Sequence, residues 1–364
     1  MEHASEVELL RCMLEIASPS GGEAELSAYL TRYARANGVS ARQDEVGNFL
    51  ATVGTGVGPT IVLMSHLDTS GRPLPARISH GLVFGRGAVD AKGPLGAMVS
   101  AALRLRDFPG TLVVAGVVEE ETAESRGANH LVRTMPAPDA VIVGEPSGAS
   151  TVVLGYKGQV ALEYEVHKPA THPTNPREKA AEAAAGFWAA VRARFEARET
   201  PAFRETTMTL SRFEGDATDA TLAIDCRIGP GCDTAALVDE LRMLAQGAAL
   251  RVRHRIPAVQ VDRHDPVVRA LTAAIRAHGG RPQHKLKTAT SDMNTVAPHW
   301  RIPMATYGPG DSTLDHSDDE HIAVGEYRSG IEVLTAAIRQ LAAELGARQD
   351  RTPDGRTPEL GTAP

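Results

Sequence analysis

Cysteine is scarce in this chain, and its positions form no recognisable motif. The 364 residues include only Cys12, Cys226 and Cys232. Zinc sites built on cysteine place two of them roughly two to four residues apart, and a disulfide framework needs an even number of cysteines in a small chain. Neither scaffold fits these three residues. Their scarcity is typical of a protein that works in the reducing cytosol.

Long apolar runs and an excess of positive charge are also missing. No apolar stretch approaches the ~20 residues that a membrane-spanning helix needs. Residues 1–6 are acidic and lack the basic start and apolar core of a signal peptide. The formal net charge of -7 argues against a general nucleic-acid binder, which usually carries a basic face. We therefore expect a cytoplasmic protein with no membrane and no nucleic-acid partner.

The order of the predicted elements divides the chain into two domains, which its length also favours. Strands and helices alternate up to about residue 154, which is the pattern of an α/β domain. The order then changes to β-α-β-β-α-β, which is typical of a ferredoxin-like α+β unit. We predict an α/β domain formed by residues 1–154 and 258–347. An α+β domain is inserted at residues 155–257, and a flexible tail covers residues 348–364.

Side chains that bind metal ions follow several short apolar runs of the α/β domain. A histidine or a carboxylate follows each of these runs or lies in a turn nearby: His66, Asp68, Asp90, the triplet Glu119 to Glu121, Glu145 and His316. Apolar runs without polar alternation are typical of parallel strands buried on both faces, and such sheets bind ligands at the carboxyl ends of their strands. Two histidines and several carboxylates at one edge predict a site for Zn²⁺ or a similar divalent ion.

Each of these residues also has an ordinary structural explanation. A single histidine at a strand end is usually structural, Asp90 could cap the helix that follows it, and the glutamate triplet could be a solvated charge run. Three consecutive carboxylates after an apolar strand repel one another, however, unless a cation or protons compensate. The same placement at several strands favours the metal site, with one glutamate as ligand and its neighbour as general base.

Together these motifs resemble the dinuclear zinc amidohydrolase and metallopeptidase family of acetylornithine deacetylase, succinyl-diaminopimelate desuccinylase, aminoacylase and carboxypeptidase G. The resemblance covers residues 5–345 and implies a mixed-sheet α/β catalytic domain that binds two Zn²⁺ per subunit, or Co²⁺. It also implies an inserted ferredoxin-like lid and dimerisation domain, and a cis peptide bond after Asp90. The implied roles are one metal on His66 and Glu145, the other on Glu121 and His316, Asp90 as bridge, Glu120 as general base and acid, and Asp68 to orient His66.

The resemblance implies further residues outside the metal site. His172 would reach the active site of a partner subunit in a homodimer and stabilise the oxyanion there. Arg227 would bind the carboxylate of the substrate, although it could instead pair with a surface acid. Asn294 lies in a segment that resembles a substrate-side loop. Because residues 121–127 form a segment one residue longer than the common form, Glu119 would replace Glu120 as the base if the alignment shifts by one.

Within this family, the chain is most similar to hydrolases of carrier-protein-dependent lysine and arginine biosynthesis. Those enzymes release lysine, and in some organisms ornithine, from the C-terminal glutamate of a small acidic amino-group carrier protein. The side-chain ammonium of the released amino acid would then need an acid: Glu124, Asp292, Asp311 or Asp315. The basic segment 251–255 would meet the acidic carrier or form an ordinary solvated strand face.

Three other functions remain open at this point. The first is removal of an acyl group from a free small molecule such as acetylornithine or succinyl-diaminopimelate. The second is a dipeptidase or carboxypeptidase activity. The third is a metal-free relative that acts only as a binding or scaffold protein, which the complete set of metal-ligand residues argues against.

Overall fold

A computed structural model describes residues 2–195 and 202–349. The helices are α1 (Glu2–Glu15), α2 (Ala24–Ala36), α3 (Lys92–Leu103), α4 (Arg126–Thr134), α5 (Ala180–Arg194), α6 (Thr234–Leu244), α7 (Pro266–Ala277), α8 (Asp292–Trp300) and α9 (Val324–Gln349). The first eight strands are β1 (Ser40–Gln43), β2 (Phe49–Val53), β3 (Thr60–His66), β4 (Arg77–Ser79), β5 (Leu82–Phe84), β6 (Thr111–Val117), β7 (Ala140–Val143) and β8 (Thr151–Tyr156). The remaining strands are β9 (Gly158–His167), β10 (Thr207–Gly215), β11 (Asp219–Ile228), β12 (Ala249–Ile256), β13 (Val259–Gln260), β14 (Gln283–Lys287), β15 (Met304–Thr306) and β16 (His321–Ala323).

A large mixed sheet forms the centre of the molecule. Its strands lie in the order β1-β2-β6-β3-β7-β15-β8-β13, and β14 pairs with β8. The middle of the sheet is parallel, because β3 pairs in parallel with β6 and β7, and β15 with β7. Antiparallel pairs lie toward both edges. The predicted mixed-sheet α/β fold is therefore confirmed.

Helices cover both faces of this sheet, which explains the uninterrupted apolar strands. On β3, Ile61 and Leu63 pack into the core shared with α1, α3, α7 and α9, whereas Val62 and Met64 pack into the core shared with α4 and α8. Because alternate side chains of a strand point to opposite faces, both sets must be apolar. The strands can then expose polar groups only at their ends, where the predicted metal ligands occur.

A second sheet, with the order β10-β11-β9-β12, is formed by the segment between β8 and β13. All its strand pairs are antiparallel, and α5 and α6 pack on it around a separate apolar core. Tyr164 stacks on Phe187 in that core, with ring centroids 4.3 Å apart. The element order agrees with the predicted ferredoxin-like insertion. We call this sheet with α5 and α6 the lid unit.

β8 stays in the large sheet up to Tyr156, two residues past the predicted division between residues 154 and 155. The predicted tail lies outside the described residues, apart from positions 348 and 349 at the end of α9. In the part of the chain that the structure describes, no helix combines the length and the apolar character that crossing a membrane requires.

Candidate metal centre

The metal-ligand-type side chains lie where neighbouring parallel strands end. β3 ends at His66 and lies between β6 and β7, both parallel to it. Because the three strands end at the same edge, the turns after β6 and β7 bring Glu120, Glu121 and Glu145 toward His66. β15 is parallel to β7 and leads into the loop that carries His316. Residues far apart in the sequence thus meet at one edge of the sheet.

Two groups of three potential ligands share the carboxylate of Asp90. One group is His66, Asp90 and Glu145, and the other is Asp90, Glu121 and His316, with the ligand atoms of each group within 4.8 Å of one another. Asp90 Oδ1 lies 3.1 Å from His66 Nε2, and Asp90 Oδ2 lies 3.0 Å from His316 Nε2. Glu145 Oε1 is 3.9 Å from His66 Nε2, and Glu121 Oε1 is 2.9 Å from His316 Nε2.

The pKa shifts of these groups indicate that positive charge is needed here. Burial and the nearby Asp90 raise the pKa of Glu145 to about 8. Burial and Glu145 raise the pKa of Glu120 well above its ordinary value. Hydrogen bonds with Asp90 and Glu121 raise the pKa of His316 to about 10. Crowded carboxylates of this kind hold protons unless a cation replaces them, so two imidazoles and three carboxylates fit a pair of divalent cations.

The loop that carries Asp90 is held by a buried glutamate, Glu320. Its Oε1 accepts hydrogen bonds from the backbone N–H groups of Gly87, Val89 and Asp90 at 3.0, 2.9 and 3.1 Å, respectively. Its Oε2 accepts from Arg86 Nη1 at 2.8 Å, and Glu320 is 1 % exposed. A carboxylate with this many charge-assisted partners is held firmly, and so is the backbone it binds. Glu320 therefore sets the position of Asp90.

Asp90 does not cap the helix that follows it. Helix α3 begins at Lys92 with Ala91 as its N-cap, and no side chain caps it. The peptide bond between Asp90 and Ala91 is cis, as the resemblance implied. The carboxylate is therefore free to face the two histidines.

Asp68 contacts the site through both its backbone carbonyl and its side-chain carboxylate. His66 Nδ1 lies 2.8 Å from the backbone carbonyl oxygen of Asp68, whereas the nearest carboxylate oxygen of Asp68 is 3.6 Å away. The carboxylate instead accepts hydrogen bonds from the backbone N–H groups of Glu120 and Glu121, both at 3.0 Å, and from the Ser20 hydroxyl at 2.8 Å. Its carbonyl orients the imidazole, and its carboxylate fixes the turn that carries the two glutamates.

The three consecutive glutamates separate into different environments. Glu119 has a φ of 57° and pairs with Arg126, whose Nη2 lies 2.7 Å from Glu119 Oε1. Glu120 and Glu121 both line the cavity over the ligand groups, and Glu121 contacts His316. The three glutamates of this turn therefore do not form a solvated run of equivalent charges. Its geometry places Glu120, and not Glu119, at the cavity.

A cavity of about 410 Å³ lies between the metal-ligand residues and the lid unit. The ligand-side wall includes Asp90, Glu120, Glu121, Glu145, Asp315 and His316, and the remaining wall includes Tyr156, Gln159, Arg227, His254, Ile256 and Lys287. Acidic groups from the loops at one edge of the large sheet therefore share this space with basic groups from β11 and β12 of the lid unit and from β14 of the large sheet. A substrate with both a carboxylate and a basic group would fit this division of charge.

Comparison with known proteins places the chain in a family. The model of the peptidase family M20/M25/M40 matches residues 62–340, which include all five potential ligands. The chain belongs to this family. M20 proteins are metal-dependent hydrolases, and the two ligand groups are the candidate metal sites of this member.

Relatives and solved structures match the M20 chain along nearly its whole length. A protein of Thermococcus kodakarensis is 36% identical over 358 residues, which cover 98% of this chain and 97% of the relative. A Deinococcus radiodurans protein named LysW-lysine hydrolase is 36% identical over 352 residues, 92% of this chain and 96% of the relative. A tripeptidase from Staphylococcus aureus has a TM-score of 0.81 at 18% identity, covering 94% of this chain and 99% of that chain. The tripeptidase shares the fold.

Two of the predicted site residues lie away from the ligand groups. Asn294 is fully buried, accepts a hydrogen bond from Ser291 N and donates to the carbonyl oxygens of Lys157 and Pro257 at 3.0 and 2.8 Å. It ties together the two chain segments that enter and leave the lid unit, and it is not part of the cavity wall. His172 lies on an exposed loop of the lid unit, where its Nδ1 is 2.8 Å from the Thr174 hydroxyl.

Glu320 is the functional residue that the sequence analysis missed. It follows His316 by four residues and comes after two other acids, Asp318 and Asp319, in the same loop. Both neighbours are exposed, whereas Glu320 is buried. Nothing in the local pattern distinguishes the three, because their burial depends on contacts with residues 86–90.

The role of Glu320 predicts an effect on metal affinity. Glu320→Gln removes the negative charge that holds Arg86 and weakens the acceptor for three backbone N–H groups. We expect the affinity for Zn²⁺ to fall by about 10- to 100-fold, as for other groups that orient a metal ligand. Competition with a chromogenic chelator measures this. Asp318→Asn is the control, since Asp318 is 67% exposed and pairs with Arg72 at the surface. Equal Zn²⁺ affinities for the two variants would contradict the role.

Proposed function

We propose that this M20 hydrolase cleaves an amide bond to release lysine, or ornithine, from the C-terminal glutamate of a small acidic amino-group carrier protein. The observation that carries the proposal is the pair of ligand groups joined at Asp90, with Glu120 left over at the cavity. The named activity of the Deinococcus radiodurans relative supports the substrate. The division of charge around the cavity also suits an amino acid with a basic side chain.

The proposed cofactor is a pair of Zn²⁺ ions, for which Co²⁺ could substitute. His66 and Glu145 would hold one ion, Glu121 and His316 the other, and Asp90 would bridge them. Bound ions would lower the pKa of water and polarise the carbonyl group of the amide. The crowding of these carboxylates around two imidazoles supports this assignment, since each ion would relieve repulsion among the buried charges.

Glu120 is the proposed general base and acid. It lines the cavity, and the hydrogen bond from its backbone N–H to Asp68 fixes its position. Because burial and Glu145 raise its pKa, its carboxylate has a strong tendency to bind a proton. It can take a proton from water in the cavity and return it to the leaving amine. The pairing of Glu119 with Arg126 supports Glu120 over Glu119 for this role.

Arg227 is the proposed binding group for the carboxylate of the released amino acid. Its Nη2 and Nε donate to Asp225 at 2.9 and 3.1 Å, and its buried Nη1 has no hydrogen-bond partner among the described residues. Arg227 therefore does pair with an acid, Asp225, as the alternative explanation of this arginine expected. This pairing fixes the guanidinium at the cavity wall and leaves one nitrogen for a ligand.

The proposed assembly is a homodimer formed through the inserted domain predicted at residues 155–257, which contains the lid unit, with His172 reaching the active site of the partner subunit. The exposed position of His172 supports this, because the imidazole does not enter the cavity of its own chain. The proposed location is the cytoplasm, where the three free cysteines would remain reduced. The segment 251–255 supports carrier binding less well, since Arg251 and Arg253 pair with Glu165 and Glu163 on β9.

The substrate comparison separates this function from the small-molecule alternative. We expect the zinc-loaded protein to release lysine from a carrier that bears it, and to process acetylornithine and succinyl-diaminopimelate far more slowly. Amino-acid analysis of the products measures both. Efficient deacetylation without carrier processing would reject the carrier proposal and support a small-molecule deacylase.

The assignment of the base predicts different outcomes for two adjacent glutamates. Glu120→Gln removes the proton acceptor, so we expect kcat to fall by about 10²- to 10⁴-fold while both metal ions stay bound. Glu119→Gln is the matched control, because Glu119 points to Arg126, and its kcat should stay within about threefold. Steady-state kinetics and elemental analysis measure the two effects. An active Glu120→Gln protein, or loss of activity only in Glu119→Gln, would show that the alignment is shifted.

A further inference from the structure

The proposed products, lysine and ornithine, carry a side-chain ammonium that the active site must accommodate. The inference that follows rests on the proposed function. Four acids near the site could bind an ammonium: Glu124, Asp292, Asp311 and Asp315. The structure distinguishes these four by position and by existing partners.

Three of the four acids are unsuitable. Glu124 and Asp311 are exposed and do not line the cavity, and the Asp311 carboxylate already accepts a hydrogen bond from Thr313 N at 2.9 Å. Asp292 is 1% exposed and, although its carboxylate also lacks a hydrogen-bond partner among the described residues, it does not line the cavity. Asp315 alone among the four lines the cavity.

Within the described residues, the Asp315 carboxylate has no hydrogen-bond or ion-pair partner. The side chain is partly buried, and its Oδ1 is sealed from solvent. A carboxylate withdrawn from water without a partner is costly, so such a group in a binding cavity points to a cationic ligand. Asp315 precedes His316 in sequence and lines the same cavity as Asp90, Glu121 and Glu145.

Lys287, a cation of the same cavity wall, does not form an ion pair with Asp315 among the described residues. Its Nζ instead donates to the carbonyl oxygen of Pro146 at 2.6 Å. Arg227, on the lid unit, is held by Asp225. Besides the candidate metal ligands and the proposed base Glu120, the described part of the cavity wall therefore offers the Asp315 carboxylate and the Arg227 guanidinium, whose charges match the two charged ends of lysine or ornithine.

We propose that Asp315 binds the side-chain ammonium of the amino acid that the enzyme releases, and so makes the site selective for basic amino acids. Arg227 would bind the carboxylate of the same amino acid. An apolar amino acid of equal length would bind Arg227 but would leave Asp315 buried and unpaired. The selectivity would come from the cost of leaving the Asp315 charge unpaired when an apolar amino acid binds, as well as from the contact that Asp315 makes with an ammonium group.

The test compares lysine with norleucine, which has the same carbon chain but no side-chain ammonium. Isothermal titration calorimetry on the zinc-loaded enzyme should show that the wild type binds lysine at least tenfold more tightly than norleucine. Asp315→Asn should weaken lysine binding by about 10- to 100-fold, the range expected for a charge-assisted hydrogen bond, and should change norleucine binding by less than about twofold. Asp311→Asn, in the same loop, should keep the wild-type preference.

Two further results make the test decisive. Asp315→Glu keeps the negative charge and should retain a preference for lysine. If Asp315→Asn and Asp315→Glu both bind neither lysine nor norleucine, Asp315 maintains the loop structure instead, and the proposal is overturned. An unchanged lysine preference in Asp315→Asn, or no preference in the wild type, would also overturn it. If the wild type prefers lysine but does not release it from the carrier, the proposed carrier substrate fails and the ammonium site stands.

Discussion

The carboxylate of Asp90, shared between two histidines, is the interaction on which the rest of the site depends. Its two oxygens lie 3.1 Å from His66 Nε2 and 3.0 Å from His316 Nε2, so the two ligand groups meet at a single side chain. Glu121 and Glu145 complete the groups and bring further negative charge into a largely buried space. Such a cluster is stable only when cations or protons balance it. The same crowding of negative charge makes the cavity attract cations and protons.

Two other carboxylates act on the backbone and hold this arrangement in place. Glu320 binds three N–H groups of the loop that carries Asp90, and Asp68 binds the N–H groups of Glu120 and Glu121. Both side chains are almost completely buried. Their hydrogen bonds fix backbone positions rather than ligand atoms, and these backbone positions set where Asp90 and Glu121 meet the two histidines.

The bridging role proposed for Asp90, which follows β5 outside the large sheet, came from the family resemblance. The positions of His66, Glu121 and Glu145 could be predicted from the residues, because a parallel sheet buried on both faces can place polar groups only at its strand ends. The apolar run that ends at His66 shows this constraint directly, and the element order β-α-β-β-α-β predicted the inserted lid unit. Glu320 could not be predicted, since its burial depends on a loop more than 200 residues earlier in the chain. The position of Asn294 was equally hidden: its partners, Lys157 and Pro257, are distant in sequence and contribute only backbone carbonyls.

Two cations that share the Asp90 carboxylate are the central proposal for this site, and anomalous diffraction from crystals grown with Zn²⁺ provides the clearest test of it. We expect two anomalous peaks about 3.5–4 Å apart, the usual spacing in two-metal sites, with Asp90 between them. One peak should lie beside His66 and Glu145 and the other beside Glu121 and His316. A single peak, or peaks away from these five residues, would contradict this proposal.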